Sequence, residues 1–390
     1  NPMLWRVVRS QRTRDLFFGL ALAVSTAGLM AFPQACVAAA KTGLELCGNV
    51  ILPSLFPFFV LSSLVVDLGL AEYLGRALEP VMRPLFRVNG SCATALALGF
   101  IGGYPVGART AITLYRQGQC SRAEAQRLLA FCNNSGPAFI LGVVGAGVFQ
   151  SGRVGILLYL THMAASCIVG LVFRFYGPRE AGETRAAPTF QAKRFTTAFT
   201  QAVTGAMTST LNICAFVLFF TVALRLLTLT GVLPALAEML GHAFAPLGFD
   251  AQWAGRLLTG LVELSSGVAG LTGSGHLAGR AAMAAFMLGW AGVSIHCQVL
   301  AFLADSGLSP GTYFAGKLLH GGVSAALVWV LSRVLPQGLP VSLVLADRVD
   351  AIAALDFPSA LTASAVAAWC LFLAFLFFSI FCGKKRKQVV

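Results

Sequence analysis

Asn133, Asn134, Ser135, Gly136 and Pro137 stand together inside a run, 128–152, that contains no charged residue. Proline has no N–H to donate, and glycine beside it loosens the preceding turn, so backbone amides and carbonyls come free at this point. Two neighbouring carboxamides add donors and acceptors. That chemistry suits the binding of a small polar solute; the alternative is a polar clamp between helices at a proline kink. Gly102, Gly103, Tyr104, Pro105 and Gly107 form a second such cluster, in which glycine lets backbone amides approach a ligand closely. Arg109, two residues further, offers a bidentate fork for a carboxylate, or else an interfacial charge that sets topology.

In the second half of the chain, Glu263 is the sole acid between 257 and 279, followed by Ser265, Ser266 and Gly267. An ionisable group within an apolar segment is a functional candidate, here for a coupling proton or sodium ion, or for an ion pair with Arg109. Ser294, His296 and Gln298 form the last cluster, with His296 able to touch substrate, shuttle a proton or bond a carbonyl. His162 and His320 are read as packing residues. The sequence has no GxSxG, HExxH or Walker A signature, and its ten cysteines have no CxxC or zinc-ligand spacing. Neither an enzyme, a metal centre nor a cofactor is expected.

The elements that position these residues must cross a membrane. Of 390 residues, 57% are apolar and 11% charged, against roughly 25% charged in soluble domains. Apolar runs at 16–40, 43–66, 123–149, 153–176, 198–229, 281–304, 312–335 and 357–382 predict eight crossings. Two further runs, 89–118 and 251–279, are broken by Gly102–Pro105 and Glu263–Gly267 and predict re-entrant hairpins. Stretches 67–87 and 231–247 are amphipathic, lying at the headgroup boundary or packed on the protein as connectors. With both termini cytoplasmic, 1–15, 67–127, 174–194 and 384–387 collect twenty Lys and Arg against seven on the other side, the side of residue 317 being ambiguous. The net charge of +13 is therefore a topology signal and not a nucleic-acid surface.

The two halves repeat. Gly99 precedes Asn133 by 34 residues and Gly260 precedes Ser294 by 34, a shift of 161. Three crossings per copy would invert the second, the pattern of a secondary transporter with its site at the repeat interface. The division is then 1–42, a first helix; 43–176, the first copy; 177–197, a polar linker; 198–335, the second copy; and 336–390, a last helix with a basic tail anchored at the cytoplasmic surface. The fold class expected is an all-α polytopic membrane protein.

Gly-Gly-Tyr-Pro-Val-Gly-Ala (102–108), Phe-Cys-Asn-Asn-Ser-Gly-Pro (131–137) and Ile-Leu-Pro-Ser-Leu-Phe-Pro-Phe (51–58) resemble the YlbJ or SpoVV family of sporulation membrane proteins, within the wider nucleoside-recognition Gate group. The resemblance covers roughly 45–335, more weakly in the second half. It implies an architecture similar to concentrative nucleoside transporters, and export of dipicolinic acid from the mother cell across the outer forespore membrane. The expected partners are a small anionic aromatic substrate and the lipid bilayer, with the coupling ion and self-association left open. A nucleoside or nucleobase carrier and a non-transporting scaffold for the spore envelope are the alternatives.

Overall fold

The computed structural model describes residues 11–177, 194–273 and 275–334. Most of the linker, the expected last crossing 357–382 and the basic tail lie outside them.

All regular secondary structure among the described residues is helical. The chain begins with α1 (Gln11–Ala31) and α2 (Pro33–Leu46), which runs through a π-helical turn (Cys47–Ile51) into α3 (Leu52–Asp67) of the first copy. The expected crossing 16–40 is not one straight helix: the chain bends by 98° between α1 and α2. Pro33 withholds its N–H, and Phe32 before it leaves the helical region at φ −124°, ψ 48°. Amphipathic α4 (Leu70–Phe86) follows, then a hairpin of α5 (Cys92–Gly102) and α6 (Val106–Arg116). Next come α7 (Arg122–Phe131), an irregular stretch, a π-helix (Ala138–Val148) and the closing helix α8 (Gly152–Phe173).

The second copy repeats the order. Long α9 (Phe195–Leu229) leads to α10 (Val232–Phe244), a hairpin of α11 (Ala251–Val262) and short α12 (Leu264–Ala269), a broken helix α13 (Leu277–Trp290) and α14 (Val293–Leu303), and closing helix α15 (Gly311–Val334). Four stretches are long and apolar enough to cross a membrane among the described residues: Gly152–Phe173, Phe195–Leu229, Leu277–Leu303 and Gly311–Arg333, with the bent α1–α2 pair as a fifth candidate. The expected crossing 123–149 is divided at 132–137, and the expected crossing 281–304 is interrupted at Ala291–Gly292, where both residues have positive φ, just before its polar cluster Ser294–Gln298.

Equivalent elements of the copies meet. α9 packs along α2 and α3, and closing helix α15 packs on α8, α7 and α13. Amphipathic α4 buries Leu78, Val81, Met82 and Phe86, with the Phe86 ring 4.8 Å from that of Phe131, so one face is a packed connector while Leu70 and Leu85 stay exposed. Where α13 meets α15 the backbones touch: a Cβ on Gly289 would lie 2.6 Å from Cα of Gly321. Small residues at such crossings are how helices pack without a hydrophobic drive. Gly289→Val is expected to destabilise the protein by about 2 kcal/mol through overpacking, read as a lower thermal midpoint in detergent.

Candidate functional site

The end of α7 shapes the site. A helix leaves its last carbonyls without partners, and here side chains supply them. Phe131 O accepts from Ser166 Oγ at 2.7 Å and Asn134 Nδ2 at 3.0 Å, while Asn133 O accepts from Lys317 Nζ at 2.7 Å. After Cys132 the backbone stays non-helical to Pro137, whose missing N–H marks the start of the π-helix.

Hairpin α5–α6 brings its tip against this break. A Cβ on Gly103 would sit 2.8 Å from Gly136 N, and one on Gly99 or Gly107 would fall 1.9 or 2.0 Å from Cys132 O. Only glycine permits that approach. Asn133 Oδ1 accepts from Ala108 N at 3.4 Å, reaching a first-turn amide of α6 that has no partner within its own helix. The second copy matches this apposition: a Cβ on Gly292, at its break, would lie within 3.3 Å of Gly260 O, Val262 O and Leu264 N at the tip of the α11–α12 hairpin.

The closing helices complete a buried polar centre. Tyr313, Lys317, His320 and Ser324 lie on one face of α15 at helical spacing, all with no exposed surface. Tyr313 Oη accepts from Asn133 Nδ2 at 3.5 Å and meets His296 Nδ1 at 3.0 Å. Lys317 Nζ also donates to Tyr104 Oη at 3.2 Å, lies 4.8 Å from the Tyr104 ring centre, and reaches His320 Nδ1 at 3.4 Å. Tyr104 Oη in turn donates to Leu288 O.

Hydrogen-bond direction fixes the two closing-helix imidazoles. Ser135 N can only donate, so His162 Nε2 accepts it at 3.0 Å and the ring proton is on Nδ1, a fully buried atom with no partner. His320 Nε2 lies 3.0 Å from His162 O, which can only accept, so that nitrogen carries the proton. The two rings lie against each other, tilted by 35°, with centroids 4.3 Å apart. His162 and Ser166 in α8 recur as His320 and Ser324 in α15 at a shift of 158, three fewer than the shift between the breaks, and the two histidines touch each other. Asn134 Oδ1, Ser294 Oγ and His296 Nε2 are likewise buried and unpartnered.

The expected site residues therefore separate into groups. Gly102, Gly103, Tyr104, Gly107, Asn133, Asn134, Ser135, Gly136 and His296 belong to one connected centre, and Ser294 and Gln298 are buried on α14 beside it. Arg109 points elsewhere: its Nη1 donates to Phe59 O at 3.4 Å, its guanidinium lies 4.6 Å from the Phe59 ring centre, and Nη2 faces Gly205 of α9. Glu263 does not pair with Arg109. Its two oxygens accept from Ser265 N at 3.0 Å and Ser266 N at 2.7 Å, capping α12 at the hairpin tip. Glu263→Ala is expected to lower stability by about 1 kcal/mol through loss of this cap, and Glu263→Gln by less, both visible as shifts in thermal midpoint. Ser265 and Ser266 thus contribute backbone amides to that cap. Among the described residues no cluster of three metal-ligating side chains occurs.

Lys317, Tyr313, His162 and His320 were not among the expected site residues. Their signals were the polar stripe on α15 at positions 313, 317, 320 and 324, and the recurrence of His162 and Ser166 as His320 and Ser324.

Comparison with known proteins adds the following. The family described as nucleoside recognition, Gate, matches residues 50–218 and 210–304. The sporulation integral membrane protein YlbJ of Bacillus subtilis (strain 168) is 33% identical over 325 residues, covering 78% of this chain and 80% of that protein. An uncharacterised protein of Alkalihalophilus pseudofirmus is 27% identical over 113 residues, 29% of this chain and 24% of its own. Among solved structures, CNTnw in an intermediate state is similar with a TM-score of 0.47 and 14% identity, over 85% of this chain and 90% of that one. CNTnw in an outward-facing state has a TM-score of 0.42 at 13% identity, covering 84% and 87%.

Proposed function

As an integral membrane protein that belongs to the nucleoside-recognition Gate family, with a YlbJ sporulation protein as a relative, this chain is, we propose, a secondary carrier of dipicolinate or a related aromatic anion. Its site would be the break at 132–137 with the tip of the α5–α6 hairpin, and its two copies would be inverted in the membrane. The observation that carries this reading is a charge-free broken helix whose polar atoms face protein and not lipid. Asn134 Oδ1 and His162 Nδ1 are buried there without partners. Buried polar groups ordinarily have partners, and exceptions point to a ligand or a functional task. The N-terminal end of the π-helix favours negative charge. Movement out of the mother cell across the outer forespore membrane follows from the resemblance to sporulation proteins, and both termini would be cytoplasmic.

A nucleoside carrier is the competing reading, favoured by the description of the matching family. Equilibrium binding of radiolabelled dipicolinate to the purified full chain separates the two. Saturable binding that unlabelled dipicolinate displaces and excess uridine leaves intact is the expected outcome. Displacement by uridine alone would transfer the site to nucleosides.

A further inference from the structure

We propose that Lys317 is the residue that recognises the negative charge of the substrate. This inference rests on the carrier reading and assigns the specificity of its site. Lys317 has no exposed surface and lies between the two copies, on α15 but bonded to the break of the first. Its Nζ contacts are Asn133 O, Tyr104 Oη, His320 Nδ1 and the Tyr104 ring. All of these are neutral, and no carboxylate among the described residues pairs with it. A buried ammonium is ordinarily matched by an acid, because dipoles alone compensate a charge poorly in a medium of low polarity. Here the protein supplies dipoles and a π face and leaves the counter-charge to come from elsewhere.

The surroundings agree with a carboxylate in that role. Beside the amine's own contacts stand residues whose polar atoms are unpartnered: Asn134 adjoins Asn133, and the His162 ring, whose Nδ1–H is a free donor, lies 4.3 Å from the His320 ring. Tyr104 covers the amine from the hairpin tip with an aromatic ring and a hydroxyl. A carboxylate joined to an aromatic ring presents the same two features with a full negative charge in place of the hydroxyl. Displacing Tyr104 would therefore exchange a neutral partner of Lys317 for a charged one.

The test uses binding of pyridine-2,6-dicarboxylate and of its neutral isostere, pyridine-2,6-dicarboxamide, to the full chain in nanodiscs. Wild type should prefer the dicarboxylate by at least tenfold. Removing one partner of a buried charge pair costs enough to weaken binding by about 10²–10³-fold, so Lys317→Gln should lose the dicarboxylate to that extent and with it the preference for the anion over the dicarboxamide. Lys317→Arg should keep the preference for the anion. Equal affinity of wild type for both compounds, or dicarboxylate binding by Lys317→Gln within threefold of wild type, would overturn the proposal and leave the carrier reading standing. The wild-type ratio decides the matter even if Lys317→Gln fails to fold. Binding of neither compound by wild type would overturn both readings together.

Discussion

Gly107→Ala is expected to abolish solute uptake and to lower stability by about 3 kcal/mol, at the upper end of what overpacking costs. The added methyl carbon would fall 2.0 Å from Cys132 O and 3.0 Å from Cα of Gly99, both backbone atoms on neighbouring elements. No side-chain rotation relieves such a clash; hairpin α5–α6 must move away from the end of α7. That movement separates Ala108 N from Asn133 Oδ1 and withdraws the tip from Gly136. Gly99→Ala, with its methyl 1.9 Å from the same carbonyl, should behave alike. Gly142→Ala is the control: it lies in the π-helix beyond the break, and a Cβ there meets nothing within 4 Å. Uptake into proteoliposomes and thermal midpoints of the three variants, measured together, would distinguish local misfit from a general intolerance of alanine.

The second large effect is expected at Asn133. Its side chain joins three elements, accepting from Ala108 N on α6 and donating to Tyr313 Oη on α15 from its position after α7. Asn133→Ala leaves a buried amide at the start of α6 without a partner, at a cost of about 1–3 kcal/mol. Uptake should fall by more than tenfold, because the hairpin tip loses its register on the break. Asn133→Asp keeps the acceptor for Ala108 N but sets a carboxylate on the residue whose own carbonyl holds Lys317. It should fold yet lose anion uptake, since an internal negative charge then competes with the substrate for the ammonium. Uptake by Asn133→Asp equal to that of wild type would remove the link between this residue and charge recognition.

The break at 132–137 and the glycine tip were legible in the sequence because both are local. Pro137 cannot continue a hydrogen-bonded helix, and Gly103 and Gly107 mark a close backbone approach, expected toward a ligand and made here to the backbone of Gly136 and Cys132. The repeated order of elements was legible from the spacing of Gly99 and Asn133 against Gly260 and Ser294. What could not be read was which face of a helix meets which neighbour. Arg109 follows Ala108, whose amide faces Asn133, yet one residue further around α6 its side chain turns to Phe59 and Gly205. Nothing in the spacing of a short helix reveals that turn before its neighbours are known. Lys317 and His162 carry the opposite lesson: each belongs to a short polar stripe in a long apolar helix, and its meaning depends on pairing with a residue more than 150 positions away. The bend before Pro33 was missed because the apolar run continues through it, and composition is blind to direction.

Uptake of dipicolinate into proteoliposomes tests the central claim most directly. Vesicles containing the full chain and loaded with terbium, which luminesces when it binds dipicolinate, should show saturable entry. Asn133→Ala should reduce that entry more than tenfold, and excess uridine should leave it unchanged. Entry no faster than into protein-free vesicles, with the chain folded and inserted, would contradict the account.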